Sequence, residues 1–121
     1  MRRTCLLLSL LFLTAFQVEW DSDVGDTVFA WWEPNGIYFV GTVVEEEGAR
    51  SLVVFEDGAQ AWVNSNQVKP MDIAQGSKVY ARWTDGRYYP GVVGRIVGRA
   101  LFIQYDDGDE GWTSWAGIAR Q

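Results

Sequence analysis

Gly25-Asp26-Thr27-Val28-Phe29-Ala30-Trp31-Trp32 returns fifty-one residues later as Gly76-Ser77-Lys78-Val79-Tyr80-Ala81-Arg82-Trp83. Glycine, valine, alanine and tryptophan recur in the same order. Glu33-Pro34-Asn35-Gly36 then shortens to Thr84-Asp85-Gly86, and the offset becomes fifty. From there Ile37–Gly41 pairs with Arg87–Gly91, and Val54-Phe55-Glu56-Asp57-Gly58 with Gln104-Tyr105-Asp106-Asp107-Gly108. Trp62 pairs with Trp112 and Val68 with Ile118. Matches of type across the whole unit, in order, indicate an internal duplication.

Each copy reads as five short strands. Val28, Ala30 and Trp32 alternate with Phe29 and Trp31, the period of two that marks a strand. Pro34-Asn35-Gly36 and Asp85-Gly86 are turns. A second strand is expected near Ile37–Val44 and again near Tyr88–Val97. Glu45–Gly48 and Gly98-Arg99 close the next hairpin. A third strand follows at Leu52–Phe55 and Leu101–Tyr105. The Asp-Gly steps at 57–58 and 107–108 supply the positive φ that a tight hairpin needs. A fourth strand holds Trp62 or Trp112, and a last short segment lies at Gln67–Lys69 or Gly117–Ala119. Gly41 and Gly91 sit inside the second strand, where glycine permits a sharp bend. Five strands in about fifty residues suggest a small closed barrel. A lone unit of that size is marginal in stability, so the two are expected to lean on each other. Strand parity turns Phe29, Trp31 and Tyr80 away from the barrel interiors, to cement the repeats or to face a partner.

The chain has 121 residues, one cysteine and no histidine, and its formal net charge is −6. An intrachain disulfide, a Cys–His zinc site and a Ser–His–Asp triad are excluded by composition. The acidic surface repels phosphate backbones and suits a cationic group or basic peptide. The run Asp106–Glu110 lacks the spacing of a calcium loop. No cofactor is implied. Abundant acids alone do not make a paired-carboxylate active site, so the sequence reads as non-enzymatic.

Arg2 and Arg3 precede Cys5–Phe16, twelve residues without a charge. This is the pattern of a secretory signal, with an uncleaved anchor as the alternative, and the run is short for a membrane-spanning helix. Removing residues 1–18 leaves eight basic and sixteen acidic residues, hence −8, and no cysteine. A secreted or periplasmic location is therefore expected, with membrane contact only through an uncleaved N-terminal segment. The expected organisation is 1–18 signal or anchor, 24–70 repeat 1 and 75–120 repeat 2.

The repeated pattern, V-x-A-x-W, a glycine turn, an aromatic pair running into x-G and then aromatic-x-Asp-Gly, resembles that of Tudor domains. Related SH3-like families such as Agenet share parts of it. The resemblance spans both units and implies an all-β chain of two tandem five-stranded SH3-like barrels. Many Tudor domains hold methylated lysine or arginine in an aromatic cage. Carried over by position, that cage would be Trp32, Phe39, Phe55 and Asp57 in the first unit, and Trp83, Tyr89, Tyr105 and Asp107 in the second. The second set, which keeps three rings and the acid and is the more polar, is the better candidate of the two. A further aromatic common in the family, just after the Asp-Gly step, is replaced by Ala59 and Asp109, so each set lacks one wall.

The chemistry of such a set is coherent. Ring faces present negative potential to a quaternary ammonium, at about 0.5–2 kcal/mol per good contact. A carboxylate adds Coulomb attraction and accepts a hydrogen bond from a partly methylated ammonium. The same rings also serve as core in so small a barrel, and the Asp as a turn former. Two functions stand side by side at this point. One is a binding module for a protein or peptide bearing a methylated or basic group. The other is an exported adaptor for an envelope protein or glycan. Nucleic acid is not expected as a partner.

Overall fold

The computed structural model describes residues 20–121. The expected signal or anchor at 1–18 lies outside the described residues. Ten strands follow in two sets of five. The first set is β1 (Thr27–Trp32), β2 (Ile37–Glu47), β3 (Arg50–Phe55), β4 (Gln60–Asn64) and β5 (Val68–Pro70). The second is β6 (Lys78–Arg82), β7 (Tyr88–Val97), β8 (Ala100–Tyr105), β9 (Glu110–Ser114) and β10 (Ile118–Arg120). A 3₁₀ turn precedes the last strand of each set, Ser65–Gln67 and Trp115–Gly117. Among the described residues the chain is all β apart from these turns.

Each set closes on itself, β5 returning to β1 and β10 to β6. The copies do not exchange strands in that closure. Among the described residues their strands pair at one place: Ala119 and Arg120 of β10 also pair with Phe39 and Tyr38 of β2. This is possible because β2 is long. Its first half pairs β1 on one edge, while β3 takes up the other edge only from Gly41 onward. The stretch Tyr38–Phe39 therefore has an open edge, and β10 fills it. The result is one continuous sheet in the order β4-β3-β2-β10-β6-β7-β8-β9.

Inward residues form two cores. Val28, Ala30, Val43, Val53, Phe55, Val63 and Val68 fill the first barrel. The second core joins Val79, Ala81, Val93, Leu101, Ile103, Tyr105 and Ile118 to Phe29 and Val40 of the first unit. Phe29 has no exposed surface. Of the two roles that parity left open to it, it takes the first and cements the repeats.

Two local expectations change. Glu45–Glu47 belong to β2 rather than to a turn, because Glu47 still pairs with Arg50 and only Gly48 and Ala49 remain to reverse the chain. The irregularity in the long strands lies at Val44 and Gly94, where the register shifts, as at a β-bulge. Gly41 and Gly91 have a different reason. A Cβ at Gly41 would stand 2.5 Å from Val53 Cγ1 and 3.0 Å from the Val54 carbonyl oxygen, and one at Gly91 2.9 Å from the Gln104 carbonyl oxygen. They allow close approach of the neighbouring strand.

Candidate functional site

The residues of the first aromatic set are brought together by the ends of β1, β2 and β3. Trp32 closes β1, Phe39 lies on β2, and Phe55 closes β3. Asp57 sits in the loop beyond, where its Oδ1 accepts from the Ala59 backbone N–H at 3.0 Å. Gly58, at φ 91°, completes that turn by donating to the Phe55 carbonyl at 2.9 Å. Trp32 and Phe55 meet edge to face, with centroids 5.2 Å apart and planes at 71°. Two walls thus stand nearly at right angles. All four residues, with Ala59, line one cavity of about 190 Å³. That is smaller than the roughly 300–1,000 Å³ of clefts that take drug-sized ligands, and of a size for a side-chain or small head group.

The cavity does not belong to the first unit alone. Arg82, Tyr88 and Trp115 of the second unit also line it. Tyr88 meets Phe39 edge to face, at 5.5 Å and 69°, and its hydroxyl donates to the Ala116 carbonyl at 3.3 Å. Arg82 and Tyr88 are cross-strand partners between β6 and β7. Trp115 opens the 3₁₀ turn that leads into β10, so the pairing of β10 with β2 carries its ring to the cavity. Reading each unit alone does not reveal these three residues. Trp115 stands where the first unit has Ser65, and Arg82 where it has Trp31, so disagreement between the copies signals two of them, while Tyr88 matches Tyr38.

The charges divide. Glu56 also lines the cavity, but its carboxylate is paired with Arg99 from the β7–β8 turn. Among the described residues, Asp57 and Arg82 form no ion pair. Burial pushes the Tyr88 hydroxyl above the ordinary phenol value, the positive charge of Arg82 acts downward on it and the negative charge of Asp57 upward. Tyr88 therefore lies within reach of both.

The second set is arranged differently. Trp83 and Tyr105 meet edge to face at 5.2 Å and 83°. Tyr105 is only 7% exposed, and its hydroxyl donates to the Arg82 carbonyl at 3.0 Å. Burial, with the nearby Asp107 charge, raises that hydroxyl above its ordinary value. The Tyr89 hydroxyl donates to Asp85 Oδ2 at 2.6 Å, which lowers the Asp85 carboxyl below the usual carboxylate value and raises the Tyr89 hydroxyl. Asp107 Oδ1 accepts from the Asp109 N–H at 3.0 Å. Among the described residues no three His, Cys, Asp or Glu side chains converge to hold a metal.

No known protein family's sequence profile matches the chain, and comparison with curated proteins gives no match. Solved structures do resemble it. The crystal structure of the Crb2 tandem tudor domains superposes with a TM-score of 0.60 at 15% identity, over 86% of this chain and 83% of that one. Two tandem Agenet structures align less closely. ADCP1 domains 3–4 give a TM-score of 0.37 at 22% identity, covering 80% of this chain and 78% of that one. The AGDP1 domain pair of Arabidopsis thaliana gives 0.39 at 21%, covering 80% of each. The chain has a tandem Tudor-like fold.

Proposed function

We propose that this protein is a non-catalytic binding module that holds a methylammonium or related cationic group in the cavity between its two barrels. A methylated lysine or arginine of a partner protein or peptide is one source of such a group. The observation that carries the reading is the lining of that cavity. Trp32, Phe39 and Phe55 from one unit and Tyr88 and Trp115 from the other surround it, with Asp57 at its edge. Ring contacts contribute about 0.5–2 kcal/mol each and the cost of association offsets much of that, so weak binding is expected. Export, expected from the N-terminal pattern, would place the ligand in the periplasm or outside the cell.

The test is an NMR titration of the full chain with a trimethyl-lysine peptide, its unmodified twin and choline. The Trp32 and Trp115 indole signals should move, more for the methylated forms, while Trp62 and Trp112 stay in place. Unmoved indoles at millimolar concentrations of all three ligands would remove the reading.

A further inference from the structure

The cavity holds two kinds of charge, and both are left over. Glu56 is neutralised by Arg99. That leaves the Asp57 carboxylate, whose Oδ1 serves the turn and whose Oδ2 has no donor among the described residues. It also leaves Arg82, an exposed residue that lines the cavity and forms no ion pair among the described residues. A purely cationic ligand would be drawn to Asp57 and repelled by Arg82.

The position of Arg82 is held firmly. Its carbonyl accepts from the Tyr105 hydroxyl, its backbone pairs with Tyr88, and a Cβ at Gly117 would stand 3.6 Å from Arg82 Cβ. The duplication adds a contrast. At the matching position the first unit has Trp31, which packs on Tyr38 at 5.3 Å and donates to Glu33 Oε1. Arg82 replaces a ring by a cation on the strand that reaches the cavity.

We propose that the cavity takes a zwitterionic head group, a quaternary ammonium joined to a phosphate as in phosphocholine, with the rings and Asp57 holding the ammonium and Arg82 the phosphate. The inference rests on the methylammonium reading above and narrows its ligand. Guanidinium is a planar donor fork suited to phosphate oxygens. Because Arg82 is exposed, the phosphate can stay partly hydrated while the ammonium leaves water. The head group can come free in solution or on a lipid, and the chemistry is the same.

The experiment is calorimetric titration of the full chain, as wild type, Arg82→Ala and Arg82→Glu, with choline, phosphocholine and a trimethyl-lysine peptide bearing an adjacent phosphoserine. The wild type is expected to bind phosphocholine about tenfold more tightly than choline, the ratio that about 1.4 kcal/mol represents. Arg82→Ala should abolish the preference, weakening phosphocholine while choline, relieved of a like charge, binds more tightly. Arg82→Glu should reverse it. Flotation with phosphatidylcholine vesicles then separates the sources: retention assigns the lipid head group, and no retention with tight soluble binding assigns the free one. Equal affinity for choline and phosphocholine overturns the proposal and leaves the aromatic cavity standing. Tighter binding of the phosphorylated peptide than of phosphocholine overturns it in favour of a peptide. Failure of every ligand removes both readings.

Discussion

Replacing Phe29 with alanine tests whether the two barrels are one cooperative unit. Phe29 lies on β1, yet it is fully buried and packed in the core of the second unit. Arg120 covers its ring at 5.4 Å and is itself paired with Asp72 at 2.7 Å. A Phe→Ala change at such a site costs about 3–5 kcal/mol. The whole stability of a domain this size is about 5–15 kcal/mol, so the loss is a large share. For a folded part of about 100 residues it corresponds to a drop in Tm of about 15–25 °C. Tyr80 is the matching residue of the second copy. It is only half-buried, and its hydroxyl makes one long hydrogen bond, 3.4 Å, to Gln121. Tyr80→Ala should cost about 1 kcal/mol. Urea unfolding followed by tryptophan fluorescence, with hydrogen exchange on β10, measures both. The expected result is a large loss for Phe29→Ala, with the greatest loss of protection at Ala119 and Arg120. A cost no larger than that of Tyr80→Ala would refute the argument that the junction carries the fold.

Gly41→Ala should cost about 1–3 kcal/mol by overpacking against Val53 and the Val54 carbonyl, measurable in the same urea titrations. Gly48→Ala meets no neighbouring atom and loses only through its φ of 59°, so about 1–2 kcal/mol is expected. Tyr105→Phe removes the hydrogen bond to the Arg82 carbonyl and should cost about 0.5–1.5 kcal/mol, while weakening any ligand that Arg82 holds. Stability should fall at alkaline pH. The Tyr88 and Tyr105 hydroxyls are raised in the folded state above the ordinary 10.0, so their contribution is complete below pH 10 and is lost as pH climbs through the raised values. Absorbance of tyrosinate against circular dichroism would follow it, and full stability maintained well above pH 10 would contradict it. At the acid end, Asp85 is lowered by its bond to Tyr89 and by the Arg87 N–H. Its contribution is present above pH 3.8 and fades as pH falls through the lowered value, an effect that Tyr89→Phe should diminish in acid titrations.

Most of the fold was legible because duplication doubles every signal. A turn such as Glu56-Asp57-Gly58 is a weak prediction alone, but its recurrence as Asp106-Asp107-Gly108 places it in a repeating barrel. Strand parity was enough to turn Phe29 outward and to connect it with packing between repeats. The errors came where propensity and pairing disagree. The glutamates 45–47 look like a loop, yet strand pairing continues through them because their side chains face water on a projecting hairpin. Gly41 and Gly91 looked like bends, and the structure shows that a neighbouring strand comes too close for a side chain.

The candidate cavity was half legible, because the two copies meet through different edges. β10 fills the open edge of β2, and no described strand fills the matching edge of β7. One aromatic set therefore gains a neighbour through this junction. At Ala59 the expected fifth wall is missing, and the rings of Tyr88 and Trp115 border the same cavity from the other unit. Trp32 and Phe55 line the cavity while their counterparts Trp83 and Tyr105 do not, and at Arg82 against Trp31 and Trp115 against Ser65 the copies also differ in residue type. Changing Ser65 to tryptophan in the first unit should therefore leave ligand binding unaltered, while Trp115→Ser should weaken it several-fold, the loss of about 1 kcal/mol expected from one ring. Equal effects of the two substitutions on the choline titration would mean that the junction between the units has no part in binding.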